Sequence, residues 1–100
     1  MPEALEDLRK QVARQPKSAK AWKLLLIVAA HAGEREEALR ANDRLVALEP
    51  DDPQHYLQRA ELLSGLGRLP AAREDLQRAL ELDPESEQAR EALERLSAKE

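Results

Sequence analysis

Prolines at positions 16, 50 and 84 stand 34 residues apart, and that interval recurs along the chain. It links Trp22 to Tyr56, Gly33 to Gly67, Ala38 to Ala72 and Leu48 to Leu82. Ala4, Ala38 and Ala72 share one phase, and Val12, Val46 and Leu80 another. A fixed period of this length means that one supersecondary unit is copied, each copy burying its apolar face on its neighbour. With 100 residues the chain holds fewer than three full periods, enough for one domain with a modest core.

Within each period the polar positions mark helix ends. Ser18, Asp52 and Ser86 each follow a proline by two residues and precede an apolar-periodic run, so each can accept a hydrogen bond from the free N–H groups of a new helix. Pro53, directly after Asp52, suits the first helical position, where its missing N–H costs nothing. Gly33 and Gly67 close the first helix of each pair, because glycine enters left-handed backbone angles without steric cost. These signals predict six helices near residues 3–14, 18–32, 35–48, 53–66, 69–82 and 86–98. Apolar residues fall at helical spacing inside them, as in Leu39, Leu45, Val46 and Leu48, or Leu76, Ala79, Leu80 and Leu82. Composition agrees: 36% of residues are charged, 2% are aromatic, and no strand-like run of β-branched and aromatic residues occurs.

The pattern resembles the tetratricopeptide repeat family, in which a large residue, a leucine, a small residue, a glycine, two alanines and a closing proline repeat every 34 residues. Trp22, Leu25, Ala29, Gly33, Ala38 and Pro50 carry the resemblance in one repeat; Tyr56, Ala60, Gly67, Ala72, Ala79 and Pro84 carry it in the next. It implies an all-α fold, a right-handed α-solenoid of antiparallel helix pairs with about six helices, forming a single domain over residues 1–100. Residues 1–16 would be a half repeat, 17–50 and 51–84 full repeats, and 85–100 a C-terminal capping helix. It further implies a concave groove that grips a peptide or helix of a partner protein. That groove would be lined by Lys20, Lys23, Ile27 and His31, then by Gln54, Leu57, Glu61 and Ser64, and finally by Gln88, Glu91 and Arg95, with an apolar floor at Ile27 and Leu57. Some family members clamp the C-terminal carboxylate of a chaperone peptide with lysine and asparagine side chains. Only Lys23 matches that clamp. Ile27 and Gln58 replace its asparagines, and Gln88 and Ala92 its later lysine and arginine, so chaperone-tail binding is not expected.

Two departures from the pattern stand at core positions. Arg59 occupies the place of Leu25 and Leu93, and Asn42 that of Leu8 and Leu76. The expectation is that Arg59 carries its head to solvent while Asn42 is satisfied by a backbone carbonyl or a water; the alternative is a polar pair between repeats that fixes their register. The segment Ala19 to Ala32 is unusual in another way, since Trp22, Leu24, Leu25, Leu26, Ile27 and Val28 leave few polar positions on any side. A helix apolar all round is normally buried all round, so burial is expected for it. An exposed Leu24 and Ile27 patch for a partner helix or a second copy is the alternative.

Catalysis is not expected. Ser18 and Ser86 are explained as caps, and nothing places His31 or His55 beside a serine; both histidines read as ordinary surface or helix-end residues. Two histidines without an HExxH pair or cysteines give no metal-ligand set, and three glycines form no phosphate loop, so neither a metal nor a cofactor is expected. A net charge of -4 with both signs interspersed lacks the basic stripe of a nucleic-acid binder. The apolar run Leu24 to Ala30 is too short to span a bilayer, and the start Met1-Pro2-Glu3 lacks a basic signal-peptide head. The reading is therefore a soluble, cytoplasmic interaction module. A self-associating homodimer is the first alternative. An engineered repeat protein with no cellular role is another, against which Arg59, Asn42, His31 and the Leu69-Pro70 helix start argue.

Overall fold

The computed structural model describes residues 2–99, and all regular structure among them is helical: α1 (Pro2–Arg14), α2 (Ala19–His31), α3 (Arg35–Leu48), α4 (Pro53–Gly65), α5 (Leu69–Leu82) and α6 (Glu87–Lys99). The expected caps stand at the starts of α2, α4 and α6. Ser18 Oγ accepts from Ala21 N at 3.2 Å, an Asp52 carboxylate oxygen from Gln54 N at 3.0 Å, and Ser86 Oγ from Ala89 N at 3.2 Å. Each bond satisfies one of the donors that a helix start leaves open. At the other end, Gly33 and Gly67 adopt φ of 79° and 77°. Glu34 N then reaches back to Ala29 O, and Arg68 N to Leu63 O, both at 2.9 Å. The two helix pairs are thus closed by the same turn.

The chain divides into two compact units, Met1–Pro50 and Asp51–Glu100. In the first, α2 packs against α1 and α3; in the second, α5 packs against α4 and α6. Alanines fully removed from solvent, Ala21, Ala29, Ala38 and Ala41 in one unit and Ala72, Ala79 and Ala89 in the other, let helix backbones approach closely. Leucines fill the remaining space: Leu5, Leu25, Leu26, Leu39 and Leu45, then Leu57, Leu63, Leu76 and Leu96. Burying a side chain of this size contributes about 1.5–3 kcal/mol, so the leucines supply most of the cohesion while the alanines set the distance.

Three sequence expectations change here. The all-apolar helix α2 is not buried all round: Leu25 and Leu26 are 3% and 7% exposed, but Leu24 and Ile27 are 41% and 48% exposed. The reason is geometric, since α2 has only α1 and α3 to pack on within its unit and a helix touched along two sides keeps a third face open. Arg59 does not carry its head out to bulk water. Its Nε and Nη2 donate to the two carboxylate oxygens of Asp75, at 2.9 and 2.8 Å, and the guanidinium lies 5.7 Å from the Tyr56 ring centre. His55 is no surface residue: it is 2% exposed, with Nε2 3.6 Å from an Asp52 oxygen. Asn42 is wholly buried, as its core position requires.

Candidate functional site

The face of α4 that carries Leu57, Ala60, Glu61 and Ser64 follows from their spacing of three, one and three residues, which keeps all four on one side of a helix. In the C-terminal unit this face meets Gln88, Ala92, Arg95 and Leu96 of α6 over Leu76 of α5, and the gap between them is a cleft of about 200 Å³. Ala60 and Ala92 open it, because neither side chain reaches across. Leu57, Leu76 and Leu96, all under a tenth exposed, form its floor. Glu61, Ser64, Gln88 and Arg95 form a rim with a carboxylate, a hydroxyl, an amide and a guanidinium.

Of the residues expected to line a groove in this unit, Leu57, Glu61, Ser64, Gln88 and Arg95 are thus brought together. Gln54 and Glu91 are exposed on the same two helices but stand outside the cleft. The floor residues Leu76 and Leu96 and the opening residues Ala60 and Ala92 were not among the expected set. Their signal in the sequence is the placing of small residues opposite each other where the repeat tolerates larger ones.

In the N-terminal unit Lys20, Lys23, Ile27 and His31 are all exposed along one side of α2. Lys23 Nζ lies 3.6 Å from Glu49 Oε1, and His31 Nδ1 lies 2.9 Å from Ile27 O, a bond within the last turn of the helix. No acidic residue occurs anywhere in α2, so this face is apolar with a cationic border.

Two electrostatic couplings lie away from these faces. Glu37 accepts from Arg9 Nε and Nη2, each at 2.6 Å, and that pairing holds its carboxyl below the ordinary carboxylate range. Arg78, bonded to Glu81 at 3.0 Å and beside Tyr56, is held above its ordinary value. The cleft lining contains neither histidine nor cysteine. What it offers is shape, hydrogen bonding and charge pairing, the means of recognition.

The tetratricopeptide repeat family model matches residues 25–97. The chain belongs to the tetratricopeptide repeat family. Among curated proteins, human tetratricopeptide repeat protein 13 is 49% identical over 49 residues, which make up 49% of this chain and 6% of that protein. Among solved structures, MamA superposes over 97% of this chain with a TM-score of 0.87 at 22% identity. The first tetratricopeptide domain of Spaghetti (RPAP3), bound to an HSP90 peptide, superposes over 98% with a TM-score of 0.84, also at 22% identity. This chain spans 53% of the MamA chain and 78% of the RPAP3 chain. At these identities the structural likeness establishes the tetratricopeptide fold and leaves the ligand to be argued from the residues.

Proposed function

We propose that this tetratricopeptide chain is a protein–protein interaction module that binds an extended or helical peptide of a partner, anchoring one apolar side chain in the α4–α6 cleft. The carrying observation is the cleft itself. Its volume of about 200 Å³ lies below the roughly 300–1,000 Å³ of sites that enclose a small molecule, and suits a single peptide side chain. The floor is apolar, and Ser64 and Gln88 stand where they can bond the peptide backbone on either side of the anchor. Glu61 and Arg95 supply opposite charges at the rim, which orient a partner more than they tighten it. The exposed α2 face bearing Lys20, Lys23, Ile27 and His31 is a second contact surface of the same class in the N-terminal unit.

The family relation supports the general reading, since the RPAP3 domain of the same fold holds a peptide. Binding of the same peptide is not part of the proposal, because Lys23 alone matches the chaperone clamp and is itself beside Glu49 at 3.6 Å.

Selection of linear peptides from a random phage library tests this, followed by titration of the enriched peptides. Ala92→Arg places a long side chain across the cleft from a half-buried helical position and is expected to weaken those peptides by about tenfold or more while leaving the circular dichroism spectrum unchanged, the scale on which truncation or blockage of an interface anchor acts. Absence of enrichment, or binders indifferent to Ala92→Arg, overturns the assignment of the cleft.

A further inference from the structure

A second cleft, of about 320 Å³, opens on the far side of α2 from Ile27. At 100° per residue, Trp22 and Leu25 point roughly 140–160° away from Ile27 around the helix, so this is a different surface from the one bearing Lys20, Lys23 and His31. Its floor is apolar, made by Val12, Trp22, Leu25 and Ala41. Its charged members are Arg9, Arg40, Arg44 and Glu37, a local excess of positive charge in a chain whose net charge is -4.

The arginines have different roles. Arg9 is engaged by both oxygens of Glu37, and Arg40 and Arg44 add two further exposed cations to the cleft. They stand four residues apart on α3 and so present their heads side by side. Arg44 lies 5.9 Å from the centre of the Trp22 ring, and the indole N–H of that ring donates to Pro16 O at 2.7 Å. The aromatic wall is therefore held at its edge, with the Arg44 guanidinium over the ring at cation–π distance. A guanidinium presents its N–H groups as a planar fork, the arrangement that grips a carboxylate with two bonds.

The repeat alone does not produce this lining. One period later, Leu25, Ala41 and Arg40 are replaced by Arg59, Asp75 and Glu74, and the Arg59–Asp75 ion pair joins two of those positions. The arginine over the ring is kept there, Arg78 lying 6.0 Å from the Tyr56 ring centre, but Glu74 and Asp75 stand where the first unit has Arg40 and Ala41, so the excess of positive charge is not.

We propose that the Trp22–Arg44 cleft is a second binding site, which takes an acidic segment of a partner polypeptide, its carboxylates on Arg40 and Arg44 and a neighbouring apolar side chain against Val12, Leu25 and the Trp22 ring. The occupant follows from charge complementarity: two exposed guanidiniums beside an apolar floor recognise carboxylates next to an apolar residue.

Trp22 is the only tryptophan of the chain, so its fluorescence reads this site alone. The full chain is titrated with the capped hexapeptide Glu-Glu-Leu-Glu-Glu-Phe and with its counterpart carrying glutamine for glutamate. The acidic peptide is expected to give a saturable change that added salt weakens, and the glutamine peptide none. Arg40→Gln with Arg44→Gln should weaken the acidic peptide by about tenfold or more, the worth of a charge-assisted pair, whereas Ala92→Arg in the other unit should not. Leu25→Arg with Ala41→Asp copies the Arg59–Asp75 pair into the cleft at unchanged net charge and should abolish the signal. An absent response, an equal response to the glutamine peptide, or affinity unchanged by the double glutamine variant overturns the proposal. So does a dimer, seen by light scattering without peptide, that the double glutamine variant dissolves, since a second copy is then the occupant.

Discussion

Glu37 has a side chain only 14% exposed and gives both its oxygens to Arg9. Its carboxyl is held low by that bond first and by the nearby positive charges of Arg9 and Arg40 after it. A carboxyl whose folded-state pKa lies below its unfolded value contributes stability that is present above the unfolded value and lost as pH falls through the folded one. Arg9→Gln should therefore lower the melting temperature at neutral pH, and the melting curves of the variant and the parent should converge as pH drops through the carboxylate range. Thermal melts followed by circular dichroism across that range check this. A difference that persists once Glu37 is protonated would mean that Arg9 acts through packing of its stem. Arg59 and Asp75 show the limit of reading single residues. Arg59 alone looks like a long side chain on its way to solvent. Set one period back, however, Arg59 and Asp75 align with Leu25 and Ala41, so an apolar pair has become a charged pair in one step. The sequence contains that exchange, but it is visible only when both members are compared together, because the partners lie on different helices.

At the scale of the helix, ends were legible and faces only in part. Five of the limits rest on a residue whose chemistry is local, Ser18, Asp52 and Ser86 at starts and Gly33 and Gly67 at stops, and the expected boundaries fall within a residue or so of those observed. The facing of α2 depends on what packs against it: the apolar run Leu24 to Ala30 argues for burial all round, and exposure of Leu24 and Ile27 stands only as the alternative. His55 is hidden in the same way, since its place in the first turn of α4 suggested a helix-end surface. The α4–α6 cleft was legible in half, through the periodic face of α4 and part of α6, and illegible where alanines create space by being small. Gly67 and Gly65 give a test at this scale, as the same substitution should have opposite signs two residues apart. Gly67 has φ of 77° and nothing within 4 Å of an added Cβ, so Gly67→Ala meets only backbone strain and should cost about 1–2 kcal/mol. Gly65 is the last residue of α4 and is not among the positive-φ residues, so Gly65→Ala should stabilise by about 0.5–1 kcal/mol. Urea titrations of both variants measure the two shifts; equal signs would refute the account of the turn.

For the molecule as a whole, charge and exposed apolar surface act against each other. At neutral pH the net charge of -4 keeps copies apart, and near the isoelectric point of about 5.3 that repulsion vanishes. Leu24 and Ile27 remain exposed at either pH. Light scattering should show more association near pH 5.3 than at pH 7, and Ile27→Glu should reduce it without loss of helicity, since the side chain is half exposed. Association untouched by Ile27→Glu would place the contact elsewhere. The Arg59–Asp75 exchange has a consequence for how such a chain can grow. Residues 25 and 41 match each other, as do 59 and 75, so a recombination that joined the first helix of one pair to the second helix of the other would set leucine against aspartate, or arginine against alanine. A chain lengthened by duplication should therefore keep its pairs matched when it grows in steps of a complete hairpin, and lose them when a crossover falls inside one.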